Sequence, residues 1–233
     1  MNSTSGTRAE ETLALIRGAR EHGVDVTTEA YPYTASASLI ESPLFDNWEN
    51  RVTSAYRTLQ WVNTGERLTP ETFTAYRQEG GWVIMHGRPE STNEWIVSQS
   101  DVIVASDGIP FSAGRAHPRG AGTFSRVLGH YVRDRGALSL IDAIRKMTVL
   151  PAQRLETVVP EMKQKGRIQV GSDADVTIFD PVTIIDRATY EDPDQYSAGI
   201  RHVIVAGTFV VRDGVLQEDA RPGRPLRGRH LVP

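Results

Sequence analysis

The chain has 233 residues, 39 % of them hydrophobic and 24 % charged, with a formal net charge of -3 and no cysteine. That composition is of an ordinary globular protein with one large core, or one large and one small unit, and its charge argues against nucleic acid or an anionic membrane surface as main partner. The absence of cysteine excludes disulfides, iron–sulfur clusters, thiolate zinc sites and a thiol nucleophile within the chain, and it fits a reducing cytoplasm, the expected location.

The amino terminus, MNSTSGTRAEETLALIRGAR, lacks the basic start and apolar run of a signal peptide, and no stretch of eighteen apolar residues follows anywhere. Apolar spacing predicts a helix over 8–21, stopped by His22-Gly23. The β-branched run VDVTTEAYPY then predicts a strand leaving into a loop at Pro32. Over 34–68 the pattern weakens, and the expectation is a long loop or small insertion of the kind retained for function. Thr69-Pro70-Glu71 reads as a cap with proline at the first turn of a helix to about 78. Gly80-Gly81 ends it, WVIMH is a short buried strand, and a helix over 89–98 leads into DVIVASDG. This near-continuous apolar run is what a parallel sheet buries on both faces. Helices over 123–135 and 138–147, then the shorter PAQRLE, complete an alternating rhythm that favours a parallel α/β sheet or barrel. After Val158 the grammar changes: GRIQVGSDADVTIFD and HVIVAGTFVVRDGV read as strand pairs with turn signals between them. The expected organisation is therefore a main unit over 1–160, a small β unit over 161–217 and an Arg/Pro-rich, solvated tail over 218–233.

Asp107 carries the sharpest chemical signal. It ends a buried hydrophobic strand, where parallel α/β folds assemble their sites, and Gly108 follows. A carboxylate there can take a proton from water and return it to a leaving nitrogen, although aspartate also caps turns. RAHPRGAGTF could bind a carboxylate through Arg119 beside His117, or be an ordinary exposed loop. Tyr31 and Tyr33 close a strand and can hydrogen-bond a substrate or pack with their hydroxyls at the rim. His86, at the end of WVIM, is a candidate metal ligand or substrate-orienting group, though a lone histidine is also commonly structural. No His-x-His or His-x-x-x-His pair occurs, so no complete metal site can be assembled from the sequence.

Taken in order, EAYPYTASASLIES, ASDGIPF, HPRGAGTFSRVLGHYVRD, KMTVLPAQRLE and KGRIQVGSDADVTIFDP resemble the N-acyl-D-amino-acid deacylases (D-aminoacylases) of the amidohydrolase superfamily, over about 7–214. The resemblance implies an α/β fold, the carboxyl-terminal part of a metal-dependent (β/α)8 barrel, with a small β-sandwich. It implies zinc, one or two ions, and hydrolysis of the amide joining an acyl group to a D-amino acid. It assigns Asp107 as the catalytic aspartate and a possible metal ligand. It assigns Arg119 and Tyr31 to the substrate carboxylate, with Tyr33 and His117 beside them. Ser36 and Ser38 lie near a substrate-contacting serine whose slot Ala37 can also occupy, and one residue is inserted between Asp107 and His117. The superfamily's principal metal ligands belong upstream of Met1, which implies a fragment inactive alone. The expected partner is a small N-acyl-D-amino acid. Two further readings stay open: a hydantoinase- or dihydroorotase-like cyclic amide hydrolase, and a non-catalytic interaction module.

Overall fold

The computed structural model describes residues 1–228, the side chain of Glu49 apart; 229–233 of the tail lie outside the described residues. After a four-residue turn of helix, α1 (Asn2–Ser5), comes α2 (Ala9–Glu21). Glu10 and Glu11 in its first turn and Arg20 in its last complement the helix dipole. Gly23 ends it at φ 83°, a left-handed position open to glycine. Its buried Ala9 and Leu13 pack on Ala30, Ile96 and Val102. Ala30 belongs to β1 (Thr28–Ala30) and Val102 to β5 (Val102–Val104), which pair in parallel with Thr28 opposite Val102 and Ala30 opposite Val104.

Between these two strands the chain builds a compact unit. The stretch 34–68, read as a loop or insertion, carries β2 (Ser36–Leu39), α3 (Thr53–Tyr56) and β3 (Leu59–Trp61), with 3-10 turns between them. Its strands pair antiparallel on either side of β4 (Trp82–Met85), in the order β2-β4-β3. Sequence periodicity missed them because each is three or four residues long and Leu59, Gln60 and Trp61 are all buried, which erases alternation. α4 (Pro70–Glu79) closes the unit; Thr69 caps it reciprocally with Thr72, and Gly80 stops it at φ 78°. α5 (Glu90–Ser98) then leads into β5.

α6 (Arg119–Arg126) runs without a break into a π-helix, Val127–Asp134, where sequence spacing predicts one helix over 123–135. Gly129 lets this helix pack closely on the segment around Ile184 and Ile185: a Cβ there would lie 3.1 Å from the Ile185 Cα. Ser139 caps α7 (Leu140–Met147), and α8 (Val149–Leu155) follows. Lys146, fully buried, donates its Nζ to the Val97 and Gln99 carbonyls at the end of α5, and burial pushes its pKa down to about 8.

The small β unit is one antiparallel sheet, β6 (Val176–Phe179), β7 (Ile200–Val205), β8 (Thr208–Arg212) and β9 (Val215–Leu216), in chain order. The strand expected in GRIQV, ahead of the Gly171-Ser172-Asp173 turn, does not form: Ile168 and Val170 are 92 % and 103 % exposed with no neighbouring strand to pair. Among the described residues the parallel ladder consists of β1 and β5, and no helix is long and apolar enough to cross a membrane.

Candidate active site

Ala105 and Ser106 carry the chain from β5 to Asp107, which adopts a left-handed conformation at φ 49°. Such backbone is tolerated by aspartate but disfavoured. Gly108 must be small because a Cβ there would sit 3.1 Å from the Gly120 Cα at the start of α6. This close approach brings Arg119 beside Asp107, Nη2 to Oδ2 at 2.9 Å. The two partners differ sharply in setting: the arginine side chain is 2 % exposed and the aspartate 54 %. Burial holds the Arg119 guanidinium below its ordinary pKa, while Tyr31 and Asp107 oppose that shift. Its Cζ lies 4.4 Å from the centroid of the Tyr31 ring, and its Nε and Nη1 are buried with no hydrogen-bond partner. A buried guanidinium with open N–H groups is prepared for an anion.

Tyr31 is buried and shares a 2.7 Å hydrogen bond with Ser3 Oγ, while its carbonyl accepts from Asn2 Nδ2 at 2.6 Å. Arg88 Nη2 donates to the Asn2 carbonyl at 2.7 Å and Nη1 to the Tyr33 carbonyl at 3.1 Å, tying α1 to the exit of β1. Tyr33 donates to Asp186 Oδ2 at 2.9 Å; burial and that carboxylate push its phenol up. Arg126 completes this cluster, 3.5 Å from the same oxygen.

His117 is fully buried and its tautomer follows from its partners. Nε2 donates to the Ala35 carbonyl at 3.1 Å, and Nδ1 accepts from the Arg119 amide at 3.1 Å. Burial, reinforced by Arg119, drives its pKa well below the usual value, so it stays neutral and orients the first turn of α6. His86 donates through Nε2 to Gln60 Oε1 at 2.8 Å, and burial, with Arg67, lowers its pKa to about 4. Both rings pack edge-on against Tyr190, at 5.3 and 4.7 Å. Ser36 is buried within β2, opposite Met85, whereas Ala37 and Ser38 line a cleft reaching Asp107 and Arg119.

Asp107, Arg119, Tyr31, Tyr33 and His117 are thus neighbours, with His86 joined to them through Tyr190. Sequence reasoning passed over Asn2, Ser3, Arg88, Arg126, Asp186 and Tyr190. The last two lie between β6 and β7, more than 150 residues from Tyr33 and Ala35, and no local pattern marks them. Among the described residues no three His, Cys, Asp or Glu side chains converge as a metal would require. Asp107 can offer one carboxylate to an ion and His86 one imidazole, with no third His, Asp or Glu converging on either among the described residues, so these residues do not by themselves fit a zinc site.

The amidohydrolase family model matches residues 5–211. The N-acyl-D-glutamate deacylase of Alcaligenes xylosoxydans xylosoxydans is 35 % identical over 94 % of this chain and 45 % of its own length. The D-aminoacylase of the same organism is 35 % identical over 87 % of this chain and 42 % of its own. The N-acyl-D-glutamate deacylase of Bordetella bronchiseptica, solved with zinc and a phosphonate mimic of the tetrahedral intermediate, superposes with a TM-score of 0.77. It is 33 % identical, over 94 % of this chain and 46 % of that one. The chain spans about half the length of the curated relatives it matches. The resemblance read from YPY, SDG and HPRG is shown in both sequence and fold, and the chain belongs to the amidohydrolase family.

Proposed function

We propose that this chain supplies the carboxylate-binding and proton-transfer part of a zinc-dependent N-acyl-D-amino-acid deacylase, a hydrolase of linear amides. The carrying observation is Arg119, buried with two nitrogens, Nε and Nη1, open to a partner and in contact with the half-exposed carboxylate of Asp107. Arg119 receives the substrate's carboxylate, and the Tyr31 ring supports its guanidinium. Asp107 accepts a proton from the attacking water as the carbon–oxygen bond forms, then passes it to the nitrogen as the carbon–nitrogen bond breaks. His117 fixes the amide of Arg119 and stays neutral. Most of the zinc ligand set comes from residues other than those described, with Asp107 able to add one carboxylate, in keeping with the share of the relatives that this chain covers.

In the 233-residue protein, zinc analysis is expected to find well under one equivalent, and N-acetyl-D-amino acids to show no turnover; turnover by this chain would overturn the incomplete-site reading. In an active protein containing it, Asp107→Asn is expected to reduce kcat by at least a thousandfold at unchanged zinc content. Retained activity removes Asp107 from its role. Cyclic amides in the same assay, and light scattering of the metal-free chain, separate the hydantoinase-like and interaction-module readings.

A further inference from the structure

Between β6 and β7 the chain leaves the small sheet and reaches the main unit. Its base is closed by backbone pairs: Asp180 donates to the Gly199 carbonyl and Ala198 to the Ile185 carbonyl, both at 2.9 Å. Ile184, fully buried, packs with Val104 of β5, Val127 and Ala143. Asp186 accepts from Tyr33, and α6 lies so close that a Cβ on Gly122 would stand 2.8 Å from the Asp186 Cβ. Further on, the Glu191 carbonyl accepts from Arg115 Nη1 at 2.9 Å. Tyr190 is therefore carried by a segment that is fixed on both sides of it, and it meets Ala35, 155 residues away in the chain.

The Tyr190 hydroxyl oxygen accepts from the Ala35 amide at 3.2 Å. The carbonyl of Ala35 accepts from His117 Nε2 at 3.1 Å, and His117 Nδ1 accepts from the Arg119 amide at 3.1 Å. These three bonds run in one direction, each donor pointing toward Tyr190, so they polarise one another along the chain. The ring packs against the apolar cluster of Ala35, Val62, Ile84, Ile109 and Ala116, a contact that phenylalanine would also make. The hydroxyl supplies something different, a partner for the Ala35 amide at the far end of the line that reaches Arg119. Among the described residues, those walling the cleft at Asp107 and Arg119 do not include Tyr190.

We infer that Tyr190 is a positioning residue for the carboxylate seat, a role that rests on the deacylase reading above. Through Ala35 and His117 it fixes the first turn of α6, and with it the direction in which Arg119 presents Nε and Nη1 to the ligand. Its hydroxyl acts on the holding of the carboxylate and not on proton transfer at Asp107, so its loss weakens binding selectively for ligands that carry that carboxylate.

Calorimetric titration of the 233-residue protein with N-acetyl-D-alanine and with its carboxamide tests this, because the two ligands differ only at the group that Arg119 receives. The unaltered protein is expected to bind the acid more tightly than the amide. Tyr190→Phe keeps the ring and removes the hydroxyl; it should weaken the acid about fivefold, as for one neutral hydrogen bond, and leave the amide unchanged. Should that variant not fold, hydrogen exchange of the unaltered protein decides: N-acetyl-D-alanine should slow exchange at the Ala35 amide together with that of Arg119, the two ends of one line. Equal weakening of acid and amide, no change in either, or slowing at Arg119 alone overturns the positioning role and leaves the deacylase reading standing. An unaltered protein that does not prefer the acid overturns the carboxylate seat itself, and the role of Tyr190 with it.

Discussion

Two sheets of this molecule are ordered by different forces. The β2-β4-β3 sheet rests on a core of its own, in which Ile40, Phe45, Tyr56, Leu59, Trp61, Leu68, Phe73 and Val83 are buried together. Phe73 meets Phe45, Trp48 and Tyr56 with ring centroids 5.2 to 6.2 Å apart, and Trp61 stacks on Tyr76 at 4.3 Å. The β1–β5 pair has three residues per strand and a small apolar contact with α2 and α5. Its exit is held by a buried polar chain: Asn2 to the Tyr31 carbonyl and to Asn93, Asn93 to Tyr131 at 2.5 Å, and Tyr131 to Glu90 at 2.6 Å. Apolar packing is non-directional and makes a stable unit. Hydrogen bonds are directional and aim side chains, which is what the strand-end site needs.

That contrast can be broken most easily at Phe73. Phe73→Ala should cost about 3–5 kcal/mol in urea denaturation by leaving a cavity among the aromatic rings. It should also raise hydrogen exchange throughout β2, β3 and β4; a loss under 1 kcal/mol would mean that the unit does not depend on this core.

Acid should act where the two regions meet, at His117 and His86. Both have folded-state pKa values below the unfolded value, so the unfolded chain binds more protons as pH falls below about 6.5. Their contribution is present above that pH and is lost progressively as pH falls below it, for His86 down to its folded-state value of about 4. Denaturant midpoints between pH 7.5 and 4.5 measure the slope, and His86→Gln should flatten part of it. An unchanged slope in that variant would show that His86 is not held neutral.

Asn93→Ala interrupts the polar chain and should cost about 1–3 kcal/mol. Its signature is local: exchange should accelerate at β1 and β5 and stay slow at β2 and β4. Uniform acceleration would contradict the separation of the two regions. The smallest effect is expected at the Arg154–Asp25 pair, 38 % and 85 % exposed at their side chains. Asp25→Asn should leave Tm within the scatter of repeat melts.

The local elements were legible where the chemistry of the backbone is local. The cap at Thr69, the stop at Gly80 and the amphipathic spacing of Ala9–Glu21 act within a few residues, so sequence and structure agree there. The site was legible in part for the same reason: Asp107 and Arg119 are twelve positions apart, at the two ends of one strand-to-helix connection. What escaped was carried by partners far apart in the chain. Tyr190 packs on His86 and His117, Asp186 accepts from Tyr33, and Asn2 holds Tyr31, each across many residues without periodicity.

The sequence by itself therefore determined the family, the alternation of helices with short strands, and the residue types available for chemistry, because motif order and local propensity are written along one dimension. Tertiary structure alone decided that Arg119 is buried with open N–H groups while Asp107 is half exposed, and that the two meet at one cleft. Burial and charge inventory are sums over neighbours in space, and those neighbours come from both ends of the chain.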